Sequence, residues 1–168
     1  MKRRTFMVFG SLVGIPMPLS LKAHSTSTQQ KEFIQVRETI AAVQAHMFPE
    51  GGKLPSAKRM YTITFTEETI FHATYDKDIR AFVIDGAREL MGREKGEFLA
   101  YNVLQKEKAL RSYESTTYGS NWLARIMVLT MEALFSDPIY GSNTKLFGWR
   151  AINSFGGQPR PKTRYIDL

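Results

Sequence analysis

The sequence contains no cysteine among its 168 residues, and this absence excludes several chemistries at once. A disulfide framework, a thiolate nucleophile, a covalently attached c-type haem and an iron–sulfur cluster each require cysteine in the chain that carries them. We therefore do not expect electron transfer through a group bound to this chain. The lack of cysteine says nothing about the compartment, because exported bacterial proteins often have no disulfides.

Histidine is also scarce, with His24, His46 and His72 as the three examples. Neither His46 nor His72 has a second ligand at the spacing of a metal motif. His46 lies near the end of a predicted helix, where a charged imidazole would interact with the terminal carbonyls. Dinucleotide-binding glycines, a P-loop and a Gly-x-Ser-x-Gly turn are absent from residues 26–168. The sequence therefore predicts no catalytic residue, no cofactor-binding residue and no metal site.

The acidic residues give no clear site either. Asp76 and Asp78 begin like a calcium loop, but Ala81 and Ala87 stand where that loop needs glycine and glutamate. Helix capping is the better interpretation of the pair. Three further carboxylates could combine for acid–base work, although ordinary surface positions explain each of them: Glu67, Glu68 and Asp85.

Positive charge is in excess, at a formal +7. Four of the 23 basic residues lie in the first 25 residues, which contain no acid, so the rest carries 19 basic and 16 acidic residues, or +3. That balance does not predict nucleic-acid binding. A basic group opposed only by Asp167 persists near the end: Lys145, Arg150, Arg160, Lys162 and Arg164. This group is either a solvated tail, which we favour, or an anionic docking surface.

Residues 1–25 have the order of a signal peptide: a charged start, the moderately apolar residues 8–21, and a small-x-small site that predicts cleavage after Ser25. Arg3, Arg4 and Phe6 resemble the twin-arginine export motif, whose pathway moves folded proteins. We therefore expect the twin-arginine translocase as a transient partner and the periplasm as the destination. An uncleaved signal is the alternative, although the apolar run is shorter than the ~20 residues of a membrane-spanning helix.

Residues 26–158 are predicted to form one all-α domain, an irregular bundle of about four or five helices, followed by a basic tail at 159–168. The first helix starts at Ser27 and ends where proline and paired glycine interrupt the pattern near residues 48–52. Its apolar residues recur at helical spacing: Phe33, Val36, Ile40, Val43 and Met47. A short strand is predicted where Tyr61, Ile63 and Phe65 alternate with threonines.

Three more helices follow. Asp76 or Asp78 caps one that ends around Gly92, with a single apolar side made of Ile79, Phe82, Val83, Gly86 and Leu90. Another helix holds Leu99, Val103, Leu110 and Tyr113. Residues 121–135 are apolar almost all round, which predicts a central helix buried on several sides. Arg125 and Glu132 lie two turns apart on it and mark either its solvent side or a polar seam to a partner.

An ordered aromatic loop is predicted directly after that central helix. Asp137-Pro138 favours a turn, and Gly141 and Gly148 supply backbone conformations that other residues reach only with strain. On one interpretation the aromatic residues Tyr140, Phe147 and Trp149 cover the end of the helix. On the other they anchor an interface, because Tyr and Trp are enriched where binding energy concentrates.

The motif residues of this region resemble those of the gluconate 2-dehydrogenase small-subunit (subunit 3, gamma) family. The segment reads Asp137-Pro138-Ile139-Tyr140-Gly141-Ser142-Asn143, then Gly148-Trp149, then Phe155-Gly156-Gly157. Weaker likeness covers Met47-Phe48-Pro49 and Ala133-Leu134-Phe135. The family more often has glycine where Ser142 stands, which makes the loop here slightly stiffer.

The resemblance implies a small subunit with a twin-arginine signal and no cofactor of its own. Its partner would be a large FAD-dependent dehydrogenase of the glucose–methanol–choline type, often joined by a membrane-bound cytochrome c subunit that carries haem. This chain would then act as a chaperone-like export escort for a partner that lacks a signal. The residues expected at or just beneath the subunit contact are Asp137, Pro138, Tyr140, Gly141, Asn143, Gly148 and Trp149.

Two other interpretations stay open at this point. An autonomous periplasmic enzyme would require converging acid, base or metal ligands, which the sequence does not display. A stand-alone periplasmic binding module, or an orphan homologue, would use the aromatic loop to hold a small ligand or an unrelated protein. The substrate of any complex is not encoded here, because specificity would lie in the partner.

Overall fold

The computed structural model describes residues 20–164, with side chains from residue 28 onward. This part of the chain contains α-helices and three short 3₁₀ turns but no strand, which confirms the all-α prediction. The helices are α1 (Ser20–Met47), α2 (Thr62–Ile70), α3 (Lys77–Arg93), α4 (Val103–Glu114), α5 (Thr117–Phe135) and α6 (Phe147–Ala151). Within residues 20–164 no helix is long and apolar enough to cross a membrane.

Helix α1 carries the apolar stripe that its sequence predicts. Phe33, Val36, Ile40 and Val43 are buried, because residues three and four apart share one face of a helix. The helix begins at Ser20, seven residues before the predicted start, so the predicted cleavage after Ser25 falls within it. The rest of the predicted signal, including the twin-arginine motif, lies outside the described residues.

The strand predicted around residues 61–65 is wrong, since this segment opens helix α2. Thr62, Thr66 and Ile70 are buried at a spacing of four, so the inward face of α2 consists largely of threonines. The buried side-chain amide of Gln44 on α1 bonds to the two threonines. It donates to the Thr66 hydroxyl at 2.9 Å and accepts from the Thr62 hydroxyl at 3.0 Å. A hydrogen-bonded polar face is invisible to a search for apolar periodicity.

Helix α3 starts where the sequence places it. The Asp76 carboxylate accepts the backbone N–H groups of Asp78 at 2.7 Å and Ile79 at 3.0 Å, which makes it the N-cap. The buried side is formed by Val83, Ile84, Gly86, Ala87 and Leu90, while Phe82 and Ile79 are only partly buried. The capping interpretation of the aspartate pair is therefore confirmed for Asp76.

The helix predicted to hold Leu99 and Val103 is only partly correct. Leu99 belongs to a separate 3₁₀ turn, Glu97–Ala100, and the helix proper starts at Val103. Asn102 stops the turn and starts α4 through a capping box with Gln105, in which each side chain bonds to the other residue's backbone N–H. Leu110 and Tyr113 are buried as expected, but Leu99 and Val103 are exposed.

Helix α5 is central, as its composition predicts, and it packs against α1, α2, α3, α4 and α6. Trp122 is fully buried, and its indole N–H donates to the Val83 carbonyl at 3.0 Å. Gly86 makes this approach possible, because a Cβ there would lie 2.0 Å from the Trp122 ring. Burial is not complete all round, since Val128 and Met131 are exposed.

Candidate functional site

Residues 135–164 follow the buried part of α5, and we call this segment the C-terminal corner. It contains the 3₁₀ turns Pro138–Tyr140 and Thr144–Leu146 and the short helix α6, which packs back on α5. Asp137 caps the first turn by accepting the Ile139 N–H at 3.0 Å, the turn chemistry expected of Asp-Pro.

Asn143 is the hub of the corner. It is fully buried, and its amide nitrogen donates to the Ser136 carbonyl at 2.8 Å while its amide oxygen accepts the Gly148 N–H at 2.8 Å. One side chain thus joins the end of α5 to the start of α6. Because a buried amide left without partners is costly, this position discriminates strongly against an apolar residue.

The backbone around Asn143 is strained. Asn143, Lys145 and Leu146 have φ values of 48°, 54° and 59°, in the left-handed region that residues other than glycine rarely adopt. Such conformations persist only where the surroundings fix them. Ser142 supplies one of these constraints, since its buried hydroxyl donates to the Met60 carbonyl at 2.7 Å and ties the corner to the start of α2.

Gly148 and Trp149 seal the corner against α5. A Cβ at Gly148 would lie 1.8 Å from the Leu134 carbonyl oxygen, so only glycine allows this backbone approach. Trp149 is 4% exposed, and its indole N–H donates to the Phe135 carbonyl at 2.6 Å. These contacts satisfy a carbonyl at the end of α5 that has no partner within the helix.

The tail beyond α6 folds back onto the same tryptophan. Gly156, at φ +72°, passes so close that a Cβ would lie 2.2 Å from the Trp149 ring. Arg160 then places its guanidinium 4.7 Å from the centre of that ring and forms an ion pair with Asp137. The ion pair between Asp137 and Arg160, which are 23 positions apart, therefore holds the tail against the rest of the corner.

The ion pair makes the tail sensitive to acid. The Arg160 guanidinium holds the pKa of Asp137 below its usual range, and the Ile139 N–H adds to this effect. A carboxyl whose folded pKa is lowered stabilises the fold above its unfolded pKa of about 3.9, and that contribution is lost as pH falls through the folded value.

We therefore expect hydrogen-exchange protection of residues 154–160 to be present at neutral pH and to disappear as pH falls below about 4. Asp137→Asn keeps the turn but loses the ion pair, so its tail should lack this protection at every pH. Equal protection of the tail in wild type and Asp137→Asn at neutral pH would contradict this role of the pair.

Most of the predicted contact residues face inward. Asn143, Gly148 and Trp149 are buried, and the Asp137 side chain is 11% exposed because Arg160 covers it. Pro138 and Tyr140 are partly exposed, and Gly141 is exposed. These seven residues therefore lie together in one corner, but mainly as its interior.

The apolar side chains that the corner presents to solvent are different ones. Phe155 is 72% exposed and Ile152 is 51% exposed. Phe155 stands next to Gly156, whose position is fixed by Trp149. In the sequence Phe155 stands out only as part of the Phe155-Gly156-Gly157 motif, and no local signal there indicates that its side chain is exposed.

The other side chains considered for chemistry are dispersed. Glu67 pairs with Arg37 at 3.1 Å, and Asp85 pairs with Arg88 at 2.5 Å. His46 bonds to the Glu107 carboxylate at 2.6 Å, and not to terminal carbonyls as expected. Among the described residues no three histidine, aspartate or glutamate side chains converge on a metal-sized site.

The basic residues near the end are not simply a solvated tail. Arg160 binds Asp137, and Arg164 pairs with Glu68 and donates to the Tyr140 carbonyl at 3.4 Å. Two of the five cations are thus used in holding the tail to the body, an arrangement that neither of the two sequence-based interpretations includes.

The fold and the corner define a small helical protein whose motif residues are mainly structural. The family model described as Gluconate 2-dehydrogenase subunit 3 matches residues 34–157, and the chain belongs to this family. The matched range runs from α1 to the glycine pair after Phe155. It includes Asn143 and both of its hydrogen-bond partners, Ser136 and Gly148. Searches of curated proteins and of solved structures gave no match. The family makes the chain an accessory subunit of a dehydrogenase complex.

Proposed function

We propose that this chain is the non-catalytic small subunit and export escort of a periplasmic dehydrogenase whose large subunit carries FAD. Membership of the gluconate 2-dehydrogenase subunit 3 family is the observation that carries the proposal. The expected large subunit is of the glucose–methanol–choline type and oxidises a sugar, a sugar acid or a polyol. A cytochrome c subunit at the membrane would accept the electrons and place the complex at the periplasmic face.

The twin-arginine motif supports the escort role. Export of a folded protein is most useful when a cofactor must be inserted before translocation. Arg3, Arg4 and Phe6 provide the signal, yet the sequence has no cysteine and no dinucleotide-binding motif. The cargo that requires this pathway is therefore the flavin-loaded partner, which travels with the folded small subunit.

We place the contact with the large subunit at the C-terminal corner. The buried hub and the Arg160 tie hold the backbone of the corner in a fixed, partly strained shape. A rigid scaffold that displays an aromatic side chain loses little conformational entropy on binding. Phe155, at 72% exposed, and Ile152, at 51% exposed, are then the apolar anchors, with Asp137, Asn143 and Trp149 beneath them.

Phe155→Ser is expected to weaken the affinity for the large subunit by about tenfold or more. An aromatic side chain that becomes buried when two proteins associate contributes strongly to the binding energy. The melting temperature of the isolated small subunit should not change, since exposed positions rarely alter stability by more than about 0.5 kcal/mol. The measurement is the affinity of the two purified subunits for each other.

Leu104→Ser is the matched control. Leu104 is 81% exposed on the first turn of α4, outside the corner, so its replacement removes a comparable exposed apolar side chain. Binding by Leu104→Ser should equal that of wild type. If Leu104→Ser weakened the complex and Phe155→Ser did not, the contact would lie at α4 and not at the corner.

A further inference from the structure

A cleft of about 660 Å³ lies beside the C-terminal corner, between α2, the segment that leads into α3 and the end of α5. Aromatic side chains form much of its wall: Phe65, His72, Tyr75, Phe135 and Tyr140. Phe135 and Tyr140 belong also to the C-terminal corner, so the cleft adjoins the segment in which we place the subunit contact. A concave, mainly apolar site of this size is suited to receive side chains of a partner.

Three carboxylates stand in this aromatic surrounding, and two of them are already engaged. Asp76 caps α3 through two backbone N–H groups, and Glu68 pairs with Arg164. Glu132 on α5 is the third. No hydrogen bond or ion pair to its carboxylate is present within the part of the chain that the structure describes.

Glu132 as a residue is exposed, but it also lines the mainly aromatic cleft, which reduces the hydration of its carboxylate. Desolvation raises the pKa of this carboxyl above its usual range, and the charge of Arg125 opposes the shift only in part. Burial likewise raises the pKa of the neighbouring Tyr75 hydroxyl. A cation brought to this carboxylate would offset the desolvation, and its attraction would be stronger here than in open solvent.

The chain itself provides one example of such a cation at the edge of the cleft. Arg164 reaches Glu68 and the Tyr140 carbonyl, and both of these residues line the cleft. A guanidinium is thus accommodated at one edge, while Glu132 stands on the α5 wall. The charge and the apolar wall together favour an occupant that is both basic and apolar.

We propose that this cleft is a second contact for the dehydrogenase partner, and that it receives a segment presenting a lysine or arginine next to an apolar side chain. The cation pairs with Glu132, and the apolar neighbour packs between Phe65 and Phe135. The inference rests on the proposed function, which supplies the partner, and adds the chemistry by which that partner is recognised.

The test uses the large subunit purified with its flavin and the small subunit in three forms: wild type, Glu132→Gln and Glu89→Gln. Glu89 is an exposed carboxylate on α3 that does not line the cleft, so it controls for the loss of one negative charge. We expect Glu132→Gln to weaken binding by about tenfold or more, as for a desolvated charge pair, and Glu89→Gln to leave it unchanged.

Two further measurements sharpen the test. Binding by Glu132→Gln should depend less steeply on salt than binding by wild type, because one ion pair is lost. Thr69→Trp, which fills the cleft from α2, should weaken binding to a similar extent while the corner stays intact. The melting temperature of isolated Glu132→Gln should be no lower than that of wild type, because the substitution removes a charge that the fold disfavours and breaks no hydrogen bond or ion pair within the described residues.

Each outcome separates the two proposals. Absence of a complex with the wild-type small subunit would overturn the proposed function, and this inference with it. A wild-type complex that Glu132→Gln binds equally well would overturn the cleft alone. A lowered melting temperature of isolated Glu132→Gln would also contradict it, since the carboxylate would then be paired within its own chain.

Discussion

Trp149→Ala is expected to lower the free energy of unfolding by about 3–5 kcal/mol, the range for removal of a buried aromatic side chain. Its ring is 4% exposed and packs against Gly156 and the Arg160 guanidinium, and its indole N–H satisfies the Phe135 carbonyl at the end of α5. Alanine would leave a cavity and an unsatisfied carbonyl in one step. Urea unfolding of the isolated chain, followed by circular dichroism, measures the effect.

Phe155→Ala is the control for this substitution, because it removes an aromatic ring from the same corner at an exposed position. It should change the free energy of unfolding by less than about 0.5 kcal/mol. If Trp149→Ala were as stable as wild type and lost only partner binding, Trp149 would be a contact residue. Its packing against α5 would then not be its main role.

Replacing Arg3 and Arg4 together with lysine is expected to abolish export of both subunits. The twin-arginine pathway reads the arginine pair itself, so conservation of charge does not rescue the signal. If the partner has no signal of its own, it stays in the cytoplasm with the small subunit. Immunoblots of both chains in periplasmic and cytoplasmic fractions provide the measurement.

Lys22→Arg is the control for the export experiment, because it exchanges one basic residue for another outside the motif and should leave both chains in the periplasm. Normal export of the large subunit in the Arg3→Lys/Arg4→Lys strain would contradict the escort role. This result would not contradict the proposed subunit contact, because that contact is tested separately with the two purified chains.

The elements that the sequence predicted well are those whose buried face is apolar. Phe33 to Val43 in α1 and the run around Trp122 in α5 recur at helical spacing, and the structure buries them. Helix α2 was missed because its buried face is made of Thr62 and Thr66, which are satisfied by Gln44 on another helix. Hydrogen bonds between polar residues that are far apart in the sequence leave no local pattern in α1 or in α2.

The start of α4 is a different case, because its signal was present and local. Asn102 and Gln105 have the spacing of a capping box, and a helix that begins there excludes Leu99 from the same stripe. The capping box alone therefore predicts that α4 starts at Val103.

For the candidate site, residue types predicted a group of residues but not the direction in which its side chains point. Asp137 and Trp149 lie close together in the structure, and both are contacted by Arg160, a residue of the basic tail for which the sequence favoured a solvated state over a docking surface. The exposure of Phe155 follows only once that tail is folded back. Tertiary contacts of this kind decide which motif residues are scaffold and which are surface.

The escort role is tested most directly by affinity purification of the tagged, full-length chain from the periplasm, followed by an absorbance spectrum and identification of the chains present. If the chain is the small subunit of an exported flavoprotein dehydrogenase, the preparation should contain a larger second chain in equal amount and the flavin spectrum of that chain, and only the complex should oxidise a sugar or polyol. A colourless protein that is purified without a partner, or that oxidises the substrate by itself, would contradict it.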